Sequence, residues 1–193
     1  MSWIATNSPK SRPELFQSQA EQLSFYINSY NALAAYGVIQ NDIPKGFTTL
    51  LARTDFFYLT NFIIGGEKIS LYDYENQVIR PLGEEKIHFA LNCMVRACPR
   101  LPKQVFRASN LEKQLEDTAK EFFSNEKHIK INNEEKTVRV SEILKFYTED
   151  FISDNTPNLI AYINLWREQP IPSDYKLKFI PYDWKINSTD DQA

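Results

Sequence analysis

Between Pro13 and Ile39 the apolar residues Leu15, Phe16, Leu23, Tyr26, Ile27, Tyr30, Leu33, Ala34 and Val38 recur at three- and four-residue steps, the period of a helix. A helix of this length is the feature to which the rest of the 193 residues must be fitted. Asn41-Asp42-Ile43-Pro44-Lys45-Gly46 ends it, because the residue before a proline is pushed out of the helical region and Gly46 offers a turn. A second, shorter helix is expected from Thr48 to Arg53. Phe57 to Ile64 is rich in β-branched and aromatic residues and reads as a strand, with Gly65-Gly66 and Ile69-Ser70-Leu71 as the turn and return of a hairpin. Ser70 is placed to cap a helix running to Arg80, with Asp73 in its first turn.

Glu84 to Asn92 reads equally as helix or buried strand, and Pro99 and Pro102 end it. Leu111 to Phe123 is helical by period. His128 to Ile131, Asn132-Asn133 and Thr137 to Val140 form a second expected hairpin, and Ser141 with Leu144, Phe146 and Tyr147 opens another short helix. Ile160, Ile163, Leu165 and Trp166 mark a last helix, and Lys178 to Trp184 a closing strand. The expected fold is therefore α+β, a single helix-rich domain with short β-hairpins. Residues 1–12 are set apart as a polar N-terminal extension, 13–187 as the globular domain and 188–193 as a polar tail.

Composition narrows the function classes. With 22 Lys plus Arg against 25 Asp plus Glu, the formal net charge of -3 gives no basic footprint for nucleic acid. No apolar run is long enough to span a bilayer, and the first twelve residues lack the apolar region of a signal peptide. The expectation is a soluble protein, either cytoplasmic or the mature form of an exported one. No Gly-rich phosphate loop, paired zinc motif or Gly-x-Ser-x-Gly elbow is present, so neither a cofactor nor a metal is expected. The partner expected is a small-molecule or peptide ligand of unknown identity.

Chemistry-bearing residues concentrate in Ile87-His88-Phe89-Ala90-Leu91-Asn92-Cys93-Met94-Val95-Arg96-Ala97-Cys98-Pro99, which holds both cysteines and one of the 2 histidines. Three other segments accompany it: Phe25-Tyr26-Ile27-Asn28-Ser29-Tyr30-Asn31-Ala32-Leu33, the run from Ile69-Ser70-Leu71 to Glu75 and Arg80, and Phe146-Tyr147 to Asp150-Phe151. Together with Tyr182-Asp183-Trp184 and Asn187, they give the chain a pattern that resembles the domain of unknown function 547 family over nearly its whole length. The positions that match are Asn28, Tyr30, Asn31, Glu75, Arg80, His88, Asn92, Cys93, Cys98, Pro99, Tyr147 and Asp150. Met94-Val95 stands where the family usually has small residues, and Ala97 where it usually has Ser. The resemblance implies no fixed activity: members occur in bacteria, often exported, and in plants and animals beside interaction or redox modules, which allows an enzyme or a scaffold.

Cysteine nucleophilic catalysis requires a thiolate, a base within about 3 Å and donors for the developing oxyanion. His88 and Cys93, five residues apart, cannot pair within one regular helix or strand. Cys98, at the proline-broken end of the segment, is the expected nucleophile, with His88 or the remote His128 as its base and Asn28 or Asn31 orienting the imidazole. The alternative is a non-catalytic binding or scaffold domain, in which His88 is a core histidine and Glu75, Arg80, Tyr30, Asn92, Cys93, Tyr147 and Asp150 belong to a structural polar network. Cys93 and Cys98 could also form a disulfide in an oxidising compartment. Glu75 and Arg80, five apart on a helix, lie too far round it to pair, whereas Tyr147 and Asp150, three apart, are expected to hydrogen-bond at a helix end. The aromatic clusters Tyr72-Asp73-Tyr74 and Tyr182-Asp183-Trp184 are candidates to line a cleft.

Overall fold

The long central helix is set by its first residue rather than by its apolar period. Ser18 Oγ accepts the Glu21 amide at 3.2 Å, and the Glu21 carboxylate accepts the Ser18 amide at 2.8 Å. This reciprocal cap, worth about 1 kcal/mol, starts helix α2 at Gln19 and leaves Pro13–Leu15 as a separate 3-10 turn. Helix α2 runs from Gln19 to Gln40. It is covered on more than one side, since the consecutive residues Phe25, Tyr26 and Ile27 are all buried. The computed structural model describes residues 1–188; apart from Ser188, the tail expected at 188–193 lies outside them.

The stretch 1–12 lies against the first hairpin. Helix α1, Ser2–Thr6, presents the Ile4 and Ala5 carbonyls to the amides of Gly65 and Gly66 at 3.0 and 2.7 Å, and Trp3 packs edge-on against Phe16 and Phe25. That hairpin consists of β1, Asn61–Ile64, and β2, Glu67–Ser70, paired antiparallel. The strand expected from Phe57 therefore begins four residues late. Thr54–Leu59 instead form a π-helical turn continuing α3, Leu50–Arg53, because Phe56 and Phe57 are drawn into a ring cluster with Phe47. Tertiary packing overrides β propensity here.

Ser70 caps the next helix by accepting the Asp73 amide at 3.1 Å. After α4, Leu71–Asp73, a second π-helical turn follows at Tyr74–Ile79. Glu85–Phe89, which read as helix or strand, is a 3-10 turn. Helix α5, Leu111–Ser124, precedes the antiparallel pair β3, Ile129–Asn132, and β4, Thr137–Ser141. Strand β5, Lys176–Ile180, then pairs in parallel with β4. A parallel pair needs a long crossover, and residues 142–175 supply it as α6, Ile143–Phe146, α7, Thr148–Phe151, and α8, Leu159–Asn164. The closing strand thus sits earlier than expected, and Tyr182 to Ile186 run on as extended chain bridging Gly46 and Val95.

Among the described residues the apolar interior forms two clusters, one around α2 and the other around α5, β4 and α8. Ile87 and Ala90 belong to the first and Phe89 to the second, so that His88 sits where the chain touches both. Tyr182 packs against both clusters.

Two adjacent glycines test the docking of the N-terminal segment. Gly65 and Gly66 both have positive φ, 58° and 87°, but a Cβ on Gly65 would meet Ser8 Oγ at 2.2 Å, whereas one on Gly66 would meet open space. Gly66→Ala is expected to cost the backbone strain alone, about 1 kcal/mol, and Gly65→Ala about 2 kcal/mol or more, as read from urea midpoints.

Candidate active site

A buried imidazole, a carboxylate and a guanidinium form the frame of the site. His88, 3% exposed, lies with Nε2 2.7 Å from Asp150 Oδ2. Asp150 also accepts from Arg80 twice, Nε to Oδ2 and Nη2 to Oδ1, each at 2.8 Å. Partial burial pushes the Asp150 carboxyl up, but the bonds from His88 and Arg80 outweigh it and hold the group well below the usual carboxylate range. Asp150 is therefore an anion and His88 Nε2 carries the bonding proton. Arg80 is held charged chiefly by Asp150; its other donors reach Asn76 Oδ1 at 2.7 Å and Glu149 Oε1 at 2.9 Å. The His88 ring stacks on Tyr147 at 3.9 Å, and Nδ1 is buried with no hydrogen-bond partner among the described residues.

Glu75 forms a second centre. Its carboxylate accepts from Tyr30 at 3.0 Å and from Tyr147 at 2.6 Å. Burial, and then the charge of Glu75, push both phenols well above their usual range, so both hydroxyls remain donors at neutral pH. The π-helical turn explains how Glu75 and Arg80 reach one site. In an α-helix residues five apart diverge, but the Arg80 amide bonds to the Glu75 carbonyl, and an i to i+5 turn stacks such residues. As expected, the two do not pair and each finds its own partners, although both line the same cleft. The expected Tyr147–Asp150 bond forms only through the backbone, the Asp150 amide donating to the Tyr147 carbonyl at 3.0 Å; their side chains go to Glu75 and to His88 with Arg80, respectively.

The loop after His88 is tied by amides. Asn31 Nδ2 donates to the Ala90 carbonyl at 2.9 Å and its Oδ1 accepts the Asn92 amide at 2.7 Å. Asn92 Oδ1 accepts the Met94 amide at 2.7 Å and its Nδ2 donates to the Pro99 carbonyl at 2.7 Å. Met94 is left-handed at φ 66°. Asn28 lies apart from this loop, clamping the Phe106 backbone through both amide atoms at 2.8 and 3.0 Å. Neither asparagine orients the imidazole; Asp150 does.

The tied loop brings the two thiols together. Cys93 Sγ and Cys98 Sγ are 2.6 Å apart, the Cys93 amide donates to Cys98 Sγ at 3.1 Å, and Tyr182 Oη lies 3.5 and 3.4 Å from the two sulfurs. Burial raises the Cys98 thiol, but the donors Cys93, Tyr182 and the Val95 amide more than offset it and bring it below its ordinary value. Cys93 is pushed well up, first by the bond it gives to Cys98 and then by burial. Cys98, 2% exposed, sits behind Cys93. Cys98 and His88 do not hydrogen-bond. The remote His128 stacks on Phe122 at 4.0 Å, and burial, then Lys127, lower its pKa to about 3.

These groups face a cleft of about 390 Å³ at the junction of the two apolar clusters. Its wall carries Glu75, Arg80, His88 and Cys93, the rings of Tyr30, Tyr58, Tyr72, Tyr147, Tyr182 and Trp184, and the guanidinium of Arg53. Asn28, Asn31, Asn92, Cys98 and Asp150 stand outside this wall. Arg53 was missed in the sequence, where a lone Arg after a short helix carries no signal, as was the link between Tyr182 and the thiols. Among the described residues no group of three or more His, Cys, Asp or Glu side chains is placed to hold a metal, and no helix is long and apolar enough to cross a membrane.

Arg80→Ala would leave Asp150 and His88 without their cation and is expected to cost about 3 kcal/mol; Asn31→Ala, which strands one carbonyl and one amide, about 1–3 kcal/mol. Denaturant midpoints measure both. Acid is expected to weaken the fold through two groups of the same sign. His128 binds a proton more weakly folded than unfolded, so stability falls as pH drops from about 6.5 toward its folded value, by up to about 1.4 kcal/mol per unit. Asp150, held low, adds a loss below about pH 4. His128→Phe is expected to remove the slope between about pH 6 and 4, leaving the Asp150 part.

Residues 15–123 match the family described as Protein of unknown function, DUF547. The matched stretch contains α2, Glu75, Arg80, His88 and both cysteines, while Tyr147, Asp150 and Tyr182 come from beyond it. No curated protein and no solved structure matches the chain. With more than half of its length matched, on the segments that carry Glu75, Arg80, His88 and both thiols, the chain belongs to the DUF547 family.

Proposed function

We propose that the cleft is a thiol-dependent active site, in which the Cys93–Cys98 pair hydrolyses or transfers a group from a small molecule or peptide lying against the aromatic wall. The observation that carries this reading is the donor set around Cys98, namely the Cys93 amide, the Cys93 thiol and Tyr182, beside a second sulfur on the cleft wall. Cys98 holds the negative charge and Cys93 meets the substrate. As Cys93 Sγ bonds to the electrophilic carbon, its proton passes to Cys98 Sγ; when the leaving group departs, that proton goes with it; water or an acceptor then attacks the same carbon, its proton passing to Cys98 Sγ and on to Cys93 Sγ as the carbon–sulfur bond breaks. Cys98 thereby takes the role of base first assigned to His88, and Cys93 the role of nucleophile first assigned to Cys98. His88 holds Tyr147 by stacking and joins Asp150 and Arg80 in the frame behind the cleft.

A second reading, a binding domain without chemistry, is favoured by one observation. The His88–Asp150–Arg80 chain and the amides of Asn28, Asn31 and Asn92 are largely closed on protein groups, as a structural lock would be. Acyl trapping separates the two. Reduced protein incubated with p-nitrophenyl acetate at pH 7 is expected to carry one acetyl group on Cys93, found by peptide mass spectrometry, with Cys98→Ser slowing its formation by about 100-fold. Acetylation of Cys93 no faster than that of free glutathione would leave the binding domain as the account.

A further inference from the structure

The cleft carries two opposite charges that do not meet each other. Glu75 is 9% exposed, and its carboxylate is answered only by the neutral hydroxyls of Tyr30 and Tyr147. No cation lies within ion-pair distance of it among the described residues, and Arg80, on the same cleft wall, is committed to Asp150 and Glu149. Arg53 is in the reverse position. It donates through Nη1 to the Phe47 and Thr48 carbonyls, and its guanidinium lies 4.9 Å over the Trp184 ring, but no carboxylate pairs with it among the described residues. A carboxylate withdrawn from water without a cation is costly, and two neutral donors offset only part of that cost.

We infer that the cleft is built for a ligand with a free amino group and a carboxylate, an α-amino acid or short peptide, with Glu75 taking the ammonium and Arg53 the carboxylate. This rests on the cleft being the functional site and names its substrate class. The remaining features fit that class. Tyr30 and Tyr147 hold the Glu75 carboxylate in one orientation and leave it further lone pairs for an ammonium. The neighbouring rings offer π faces to the same cation and contact area to an apolar or aromatic side chain. Arg53, with its fork only partly used, suits a planar carboxylate better than a lone ammonium would. A phosphate or other dianion would gain Arg53 but be repelled by Glu75. The cleft volume of about 390 Å³ lies in the range of small-ligand pockets.

The test is isothermal titration of the full chain, as the parent and as Cys93→Ala, with phenylalanine, glycylphenylalanine, phenylalaninamide and N-acetylphenylalanine. At least one of the two zwitterions is expected to bind about tenfold or more tighter than either blocked compound. Glu75→Gln should abolish the advantage of a free amino group and leave that of a free carboxylate, and Arg53→Gln should do the reverse. Affinities for the four compounds equal within about twofold, or no binding of either zwitterion at about 10 mM, would overturn the inference. The parent series decides even if a variant fails to fold. Discrimination in Cys93→Ala with an unreactive parent thiol would remove the thiol chemistry and keep the ligand class; acetylation of Cys93 without discrimination would do the opposite.

Discussion

The Asp150 carboxylate is the point on which the site depends. It lies on a short helix of the crossover between two parallel strands, yet binds a guanidinium and an imidazole that come 70 and 62 residues earlier in the chain. Arg80 ends a π-helical turn attached to the first apolar cluster, and Asp150 is followed directly by Phe151, a member of the second. This ionic contact therefore joins the two halves of the interior, beside helix α5 and Tyr182, which also reach both, and the cleft lies where they meet. Since each partner of such a pair is expensive to leave alone in a partly buried place, the arrangement is held strongly once formed.

The rest of the site is arranged around that frame by groups of lower charge. His88 stacks on Tyr147, Tyr147 turns its hydroxyl to Glu75, and Tyr30 reaches the same carboxylate from α2. On the other side, Asn31 and Asn92 close the loop from Ala90 to Pro99 so tightly that Met94 accepts a left-handed conformation. That closure places two thiols side by side under one tyrosine hydroxyl. The donors gathered there bring the Cys98 thiol below its ordinary value against its burial.

Much of the local structure was legible in the residues. The Ser70 cap, the Gly65-Gly66 turn, the β3–β4 hairpin and helix α5 follow from a side-chain oxygen, glycine's tolerance of positive φ and apolar period, all of which act within a few residues, whereas the Ser18 cap that starts α2 was not read. The α+β class and the family followed from the same short segments. The residues gathered near the cleft were also mostly visible, because Asn, Glu, Arg, His and Cys among apolar neighbours must find partners when buried.

Which partner each would find was not visible. The expected Tyr147–Asp150 and Cys98–His88 pairs rested on spacing or on chemical type, and a hydrogen bond depends on where backbone elements far apart in sequence come to lie. The π-helical turns show the limit most clearly: one added residue per turn brings Glu75 and Arg80 onto the same cleft, and nothing in Tyr74–Ile79 announces it. Arg53, Tyr182 and Trp184 likewise meet the site only because β5 pairs in parallel and its continuation runs back beside Gly46 and Val95. The sequence by itself determined the helices, the turns and the set of polar side chains that folding would have to satisfy, since those follow from local sterics and from the cost of burying charge. Only the tertiary structure decided the pairings and the cleft, because they depend on packing two apolar clusters against each other, and that is a property of the whole chain.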